Sequence, residues 1–119
     1  MVCLSLSQIF YGQDNKGLCK VEVNDVSKVT SLGYLVGLTI EFKNNTKKTV
    51  DGIYWTTYFF DNANKVIKTE EDSFNSSSNI DPIVSGFTKT IVRAPRIKGA
   101  SKVAIVINKI HFSDGSGCK

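Results

Sequence analysis

The chain is short of arginine, histidine and proline, and it has no long apolar run. Two of its 15 basic residues are arginines, Arg93 and Arg96. Nucleic-acid readers depend on the planar guanidinium fork for phosphates and guanine edges, so specific nucleic-acid readout is not expected. One histidine, His111, leaves few options for acid–base chemistry. No 18-residue window is apolar, so no membrane-spanning helix is expected. No long window repeats at 3.6 residues, which argues against helices of any length. There is no glycine-rich phosphate cradle and no internal repeat.

What remains describes a globular chain. Its 119 residues suit one domain, 41% are hydrophobic and 22% charged. A chain of this length buries an adequate core without metals. The net charge is +4 and the pI about 9.0. From Ser85 onward, Lys89, Arg93, Arg96, Lys98, Lys102, Lys109 and Lys119 face Asp114 alone, while Glu70, Glu71 and Asp72 sit together upstream. The plain reading of these charges is a solvated surface. A basic tract open to an anionic polymer is the other.

The dominant period is two, the signature of half-buried strands. Tyr34, Val36, Leu38, Ile40 and Phe42 alternate with Leu35, Gly37, Thr39, Glu41 and Lys43, which predicts a strand with the first set inward. Val21 and Val23 predict a shorter edge strand before it. Asn44 to Lys48 reads as a turn, since asparagine tolerates left-handed backbone. Val50 to Asp61 is the next strand, with Ile53, Trp55, Thr57 and Phe59 on one face and Tyr54, Thr56, Tyr58 and Phe60 on the other. Asp61 to Asn64 turns the chain and Lys65 to Glu70 returns. Asp72 to Asn79 reads as a serine-rich loop. Phe87 to Arg93 is a strand ended by Pro95. Lys102 to Asn108 is apolar on both faces, as in a central strand. Ile110 and Phe112 continue it past a bulge to the Asp114-Gly115 turn. About seven short strands predict an all-β, immunoglobulin-like antiparallel β-sandwich; a small barrel is the alternative.

Residues 1–13, MVCLSLSQIFYGQ, carry no charge and end in Tyr11-Gly12-Gln13. They resemble the back half of an export signal, of the kind seen in Bacteroidetes-type bacteria. A first strand is the competing reading, because no basic region precedes the apolar stretch. The expected division is residues 1–17 as a signal remnant or disordered segment and 18–119 as the domain. Localisation is expected to be secreted, periplasmic or cell-envelope, with cytoplasmic as the alternative. Cys19 and Cys118 sit near opposite ends of the domain. They read either as a bridge, which needs an oxidising compartment, or as two separate thiols.

Catalytic chemistry finds no constellation. His111 lacks a matched nucleophile motif. Cys3, Cys19, Cys118 and His111 are not spaced as metal ligands. Asp61-Asn62-Ala63-Asn64 has alanine where a calcium loop needs its second ligand. Glu70 and Glu71 point to opposite faces of a strand, which does not suit paired-carboxylate hydrolysis. No catalytic, cofactor-binding or metal-binding residues are assigned. The one candidate contact patch is aromatic: Tyr54, Tyr58 and Phe60, either exposed for a sugar ring, peptide or domain, or covered by a loop such as that of Phe74.

The strand end at Asn44-Asn45-Thr46, the strand end Tyr58-Phe59-Phe60-Asp61, the return Lys65-Val66-Ile67, and Ile80-Asp81-Pro82 with Gly86 together resemble the FxLYD-like group of small bacterial immunoglobulin-like domains, over about residues 18–115. Phe60 departs from the Leu or Tyr usual there. The resemblance implies a secreted or envelope-attached accessory domain without catalytic residues. The function expected is therefore a non-enzymatic exported interaction or structural domain, whose partner is a protein or a cell-envelope polymer. A carbohydrate- or anionic-polymer-binding module is the alternative.

Overall fold

A computed structural model describes residues 15–76 and 81–119. The expected signal segment 1–13 with Cys3, and Ile80 of the resemblance, lie outside the described residues. Strands run in the order β1 (Val21–Ser31), β2 (Tyr34–Asn44), β3 (Val50–Phe60), β4 (Val66–Asn75), β5 (Thr88–Arg93), β6 (Ile97–Lys98), β7 (Lys102–Phe112) and β8 (Gly117–Cys118). They form two antiparallel sheets. One has the order β1-β2-β5 with β6 also on β2; the other has the order β4-β3-β7-β8. The fold is thus an all-β sandwich, as the alternation predicts.

The sheets close on side chains that stand two apart. Ile53, Trp55 and Phe59 of β3 meet Leu38, Ile40 and Phe42 of β2, with Ile91, Val103, Ile105 and Ile107 filling between. Each such aliphatic or aromatic side chain contributes about 1.5–3 kcal/mol when fully withdrawn from water. Trp55 is 1% exposed, and its ring lies 4.9 Å from that of Phe42, tilted 51°.

Strand β2 departs from strict alternation. Leu35 is fully buried and Tyr34 and Val36 are not. The register explains the exchange: Val29 pairs with Gly37 and Thr30 with Leu35, so Val36 is the extra residue of a bulge. The bulge turns Tyr34 outward, where the Arg96 guanidinium lies 4.5 Å from its ring. Gly37 admits the crowding, since a Cβ there would approach Val29 Cβ to 3.2 Å.

Three boundaries also differ from expectation. β1 is a full-length edge of eleven residues. β4 runs on to Asn75 and buries Phe74 in the core, where a loop had been expected. The sandwich also takes in residues 15–17, ahead of the expected start at residue 18. Lys16 pairs in parallel with Val106: its N–H donates to Ile105 O and its carbonyl accepts from Ile107 N, both at 2.9 Å. The Asn15 side chain accepts from Ile105 N at 2.8 Å.

The turn after β2 is held by one buried side chain. Asn44 Nδ2 donates to the carbonyls of Lys48 and Ile83, each at 2.8 Å. Its Oδ1 accepts from Thr46 N at 2.9 Å and Thr46 Oγ1 at 2.6 Å. All four hydrogen-bonding positions of the amide are therefore satisfied, as a buried amide requires.

Candidate functional site

The two sides of the sandwich are closed differently. On one side the tight turn Leu18–Val21 reaches β8, and Cys19 is bonded to Cys118, with Cα atoms 6.6 Å apart. The structure thus selects the bridge over separate thiols. Cys19 and Lys20 both take left-handed backbone, φ 48° and 64°. That is the geometry a two-residue hairpin turn demands.

On the other side, the free edges of β4 and β5 face each other. Pairing sets which residues face inward there. Glu70 and Asp72 of β4 lie opposite Thr57 and Trp55, while Lys89, Ile91 and Arg93 of β5 lie opposite Phe42, Ile40 and Leu38. Inward-pointing charge at a sheet edge discourages uncontrolled pairing. Here the charges also join the layers. Arg93 Nε donates to Asp72 Oδ2 at 2.8 Å, and its Nη2 reaches Asp72 Oδ1 at 3.3 Å.

This ion pair divides the open side into two clefts. The smaller, about 260 Å³, has Leu38, Thr57 and Phe59 at its base and Glu70 and Pro95 at its rim. The larger, about 500 Å³, lies between Ser73–Asn75 and Lys89–Arg93. The Lys89 ammonium stands 5.2 Å over the Phe74 ring. β5 and the residue before it also carry two of the exposed large apolar side chains: Phe87 is 64% exposed and Val92 68%. Asn44 and Phe87 continue the β2–β5 ladder, which puts Phe87 on the same side of the strand as Lys89 and Ile91.

The predicted aromatic patch does not assemble as a contact surface. Tyr54, Tyr58 and Phe60 do share the outer face of β3. Phe60 is nevertheless 1% exposed and clusters with Ala104, with Tyr58 and Val106 packed against them. Ala104 lies directly across from Tyr58 in the β3–β7 register. Tyr54 donates its hydroxyl to Asn75 Oδ1 at 2.7 Å and has the Lys109 ammonium over its ring. Phe74, named as a possible cover for the stripe, faces the core instead.

The basic tail is dispersed. Arg93 goes to Asp72 and Lys89 to Phe74 on the inward side of β5, whereas Lys109 goes to Tyr54 on the outer face of β3. Arg96 and Lys98 lie beside Tyr34, and Lys102 reaches Asn64 of the β3–β4 turn. Glu70 and Glu71 fall on opposite faces of β4, since the strand continues through both. His111 has a partner the sequence did not indicate: its Nδ1 lies 2.5 Å from Asp51 Oδ1, sixty residues away in sequence. Among the described residues no hydroxyl or thiol is hydrogen-bonded to His111, and no group of three acidic, histidine or cysteine side chains is placed to hold a metal.

No family model matches the chain, and no curated protein does. Among solved structures the fold is similar to the crystal structure of a DUF1425 family member from Shewanella sp. pv-4. The TM-score is 0.53 at 10% identity, over 74% of this chain and 76% of that one. At that identity the likeness speaks to architecture, and the shared architecture is the β-sandwich. No helix of the described residues is long and apolar enough to cross a membrane.

Proposed function

We propose that this chain is a non-catalytic, exported interaction domain that binds an extended segment of a partner protein along the free edge of β5. The observation that carries the reading is the state of that edge. β5 is hydrogen-bonded to β2 on one side, its other side opens on the 500 Å³ cleft, and Val92 within it and Phe87 just before it are exposed. An added strand pairs its backbone with such an edge and places alternate side chains in the adjoining pockets. An apolar side chain suits the wall made by Phe74 and Ile91, and a carboxylate suits Lys89. Export is supported by the Cys19–Cys118 bond, which persists in oxidising compartments. The resemblance to FxLYD-like domains points the same way.

Site-specific photocrosslinking tests this. A photoreactive phenylalanine analogue at Val92 is expected to trap a protein in the native host envelope, and Phe87→Lys is expected to abolish the adduct while leaving the melting temperature unchanged. Equal trapping from a probe at Tyr58, or no adduct at Val92, refutes the β5 reading.

A further inference from the structure

The β1–β2 hairpin ends in a turn that contradicts its own residue preferences. Leu32 and Gly33 take φ 52° and 82°, the two-residue hairpin geometry in which Asn, Asp or Gly is strongly favoured at both central positions. A γ-branched residue in left-handed backbone costs about 1 kcal/mol. Leu32 gains nothing in return from packing: it is 96% exposed, the most exposed large hydrophobic side chain among the described residues. Backbone strain retained without compensating contacts is characteristic of functional positions.

The surroundings of Leu32 have a consistent charge. Gly99 N–H donates to Gly33 O at 2.8 Å, which brings the β6–β7 connection against the turn. Lys98 pairs with Tyr34, and Arg96 stacks on the Tyr34 ring. A shallow depression lined by Leu32, Asn62 and Ser101 joins this end to the β3–β4 turn. That turn holds Lys65, and its Asn64 accepts from Lys102 Nζ at 2.8 Å. Asp61 is the carboxylate here, and its Oδ1 is occupied by the backbone N–H groups of Ala63 and Lys65. Four cations and the one carboxylate of Asp61 thus lie on the segments that meet at this end of the sandwich, where Leu32 projects at the hairpin tip and Tyr34 is set back from it.

We propose that this end of the sandwich docks on an anionic lipid surface, with Leu32 entering the acyl boundary and Arg96, Lys98, Lys65 and Lys102 meeting the headgroups. An apolar apex with cations on the neighbouring segments complements a leaflet, which is apolar beneath and anionic at its surface. Tyr34 lies at the level where an aromatic ring with a polar tip is favoured. The proposal rests on the export reading for access to a leaflet and on nothing else in it, because the β5 edge is a separate surface.

Co-sedimentation of the full, disulfide-intact chain with vesicles tests it. Binding is expected to vesicles of phosphatidylglycerol and phosphatidylcholine at about 3:7, to weaken as salt rises, and to be slight with phosphatidylcholine alone. Leu32→Asn suits the left-handed turn, so the fold is retained; it is expected to lower partitioning roughly tenfold. Lys65→Gln and Lys98→Gln are expected to lower it by about fivefold each. No binding of the unaltered chain to the anionic vesicles overturns the proposal, as does equal binding by Leu32→Asn. A protein adduct formed from a photoprobe at position 32, without vesicle binding, also overturns it, in favour of a protein partner. The Val92 crosslinking experiment fails or succeeds independently of all three results.

Discussion

Asn44 offers the sharpest test of how the residues build this fold. Its amide ties the end of β2 to two other segments: the turn, through Lys48 O and both Thr46 groups, and the strand-like segment before β5, through Ile83 O. Asn44→Ala removes four hydrogen bonds and leaves two carbonyl oxygens without that donor. A typical intramolecular hydrogen bond contributes about 1 kcal/mol net, and a buried unsatisfied group costs about 1–3 kcal/mol. We therefore expect a loss of about 3–4 kcal/mol, which for a domain of this size lowers Tm by roughly 12–25 °C.

Asn44→Asp keeps the volume but replaces the Nδ2 donor with an oxygen facing the Lys48 and Ile83 carbonyls. At neutral pH it should cost at least as much as alanine, because a buried charge is added without a cation beside it. Asn45→Ala, next in the chain and exposed, should change stability by less than about 0.5 kcal/mol. Urea denaturation with the disulfide intact measures all three. If Asn44→Ala falls within about 1 kcal/mol of the parent, the amide is not holding the turn and the reasoning fails.

Removing the Cys19–Cys118 bond with Cys19→Ser and Cys118→Ser should cost about 4–5 kcal/mol, because the bond closes a loop of sequence separation 99; calorimetry of the double variant checks this. Phe60→Ser should cost about 3–5 kcal/mol as a buried aromatic, whereas Tyr54→Ser should cost about 1 kcal/mol; the opposite ranking in denaturation would restore Phe60 to the surface. Asp114 is held down from 3.8 to about 2, first by the Ser116 hydroxyl and backbone N–H and then by Lys48. A depressed carboxyl stabilises the fold above its unfolded pKa and loses that contribution as pH falls through its folded value. The stability gap between the parent and Asp114→Asn should therefore hold above about pH 4 and close toward pH 2, as read from acid-denaturation series.

Strand β3 was readable because nothing interrupts its alternation between Ile53 and Phe59, so Trp55 falls inward as expected. In β2 the same rule chose the wrong face for Tyr34 and Val36. Leu35 and Val36 are both apolar, so the pattern alone does not say where the bulge lies. The signal was Gly37, since a glycine inside a strand often marks a bulge or a close backbone approach. The end of β4 was hidden for another reason. An edge strand of Glu70, Glu71, Asp72 and Ser73 has little apolar character, and Phe74 alone shows that it covers core. Phe60 was misplaced because alternation assigns a face, not exposure; that the outer face of β3 is covered at Ala104 depends on packing from another strand. The Arg93–Asp72 pair joins residues 21 apart from different sheets, and His111–Asp51 joins residues 60 apart, separations at which sequence pattern carries no signal.

The unequal closure of the two sides carries a consequence that can be measured. The bridged side is held by a covalent link worth about 4–5 kcal/mol on the chain-entropy account. The opposite side is held by a partly exposed ion pair, and such pairs contribute about 0–1 kcal/mol. Local opening follows the weaker closure. Backbone amides of β4 and β5 on their free edges should exchange with deuterium first, those of β3 and β7 last, and Asp72→Asn should accelerate β4 while leaving β7 unchanged. A partner strand added along β5 would reverse that order for β5 alone. If β1 and the Leu18–Val21 turn exchanged ahead of β4 with the disulfide intact, the covalent side would be the weaker one, and the assignment of β5 as the receptive edge would lose its physical basis.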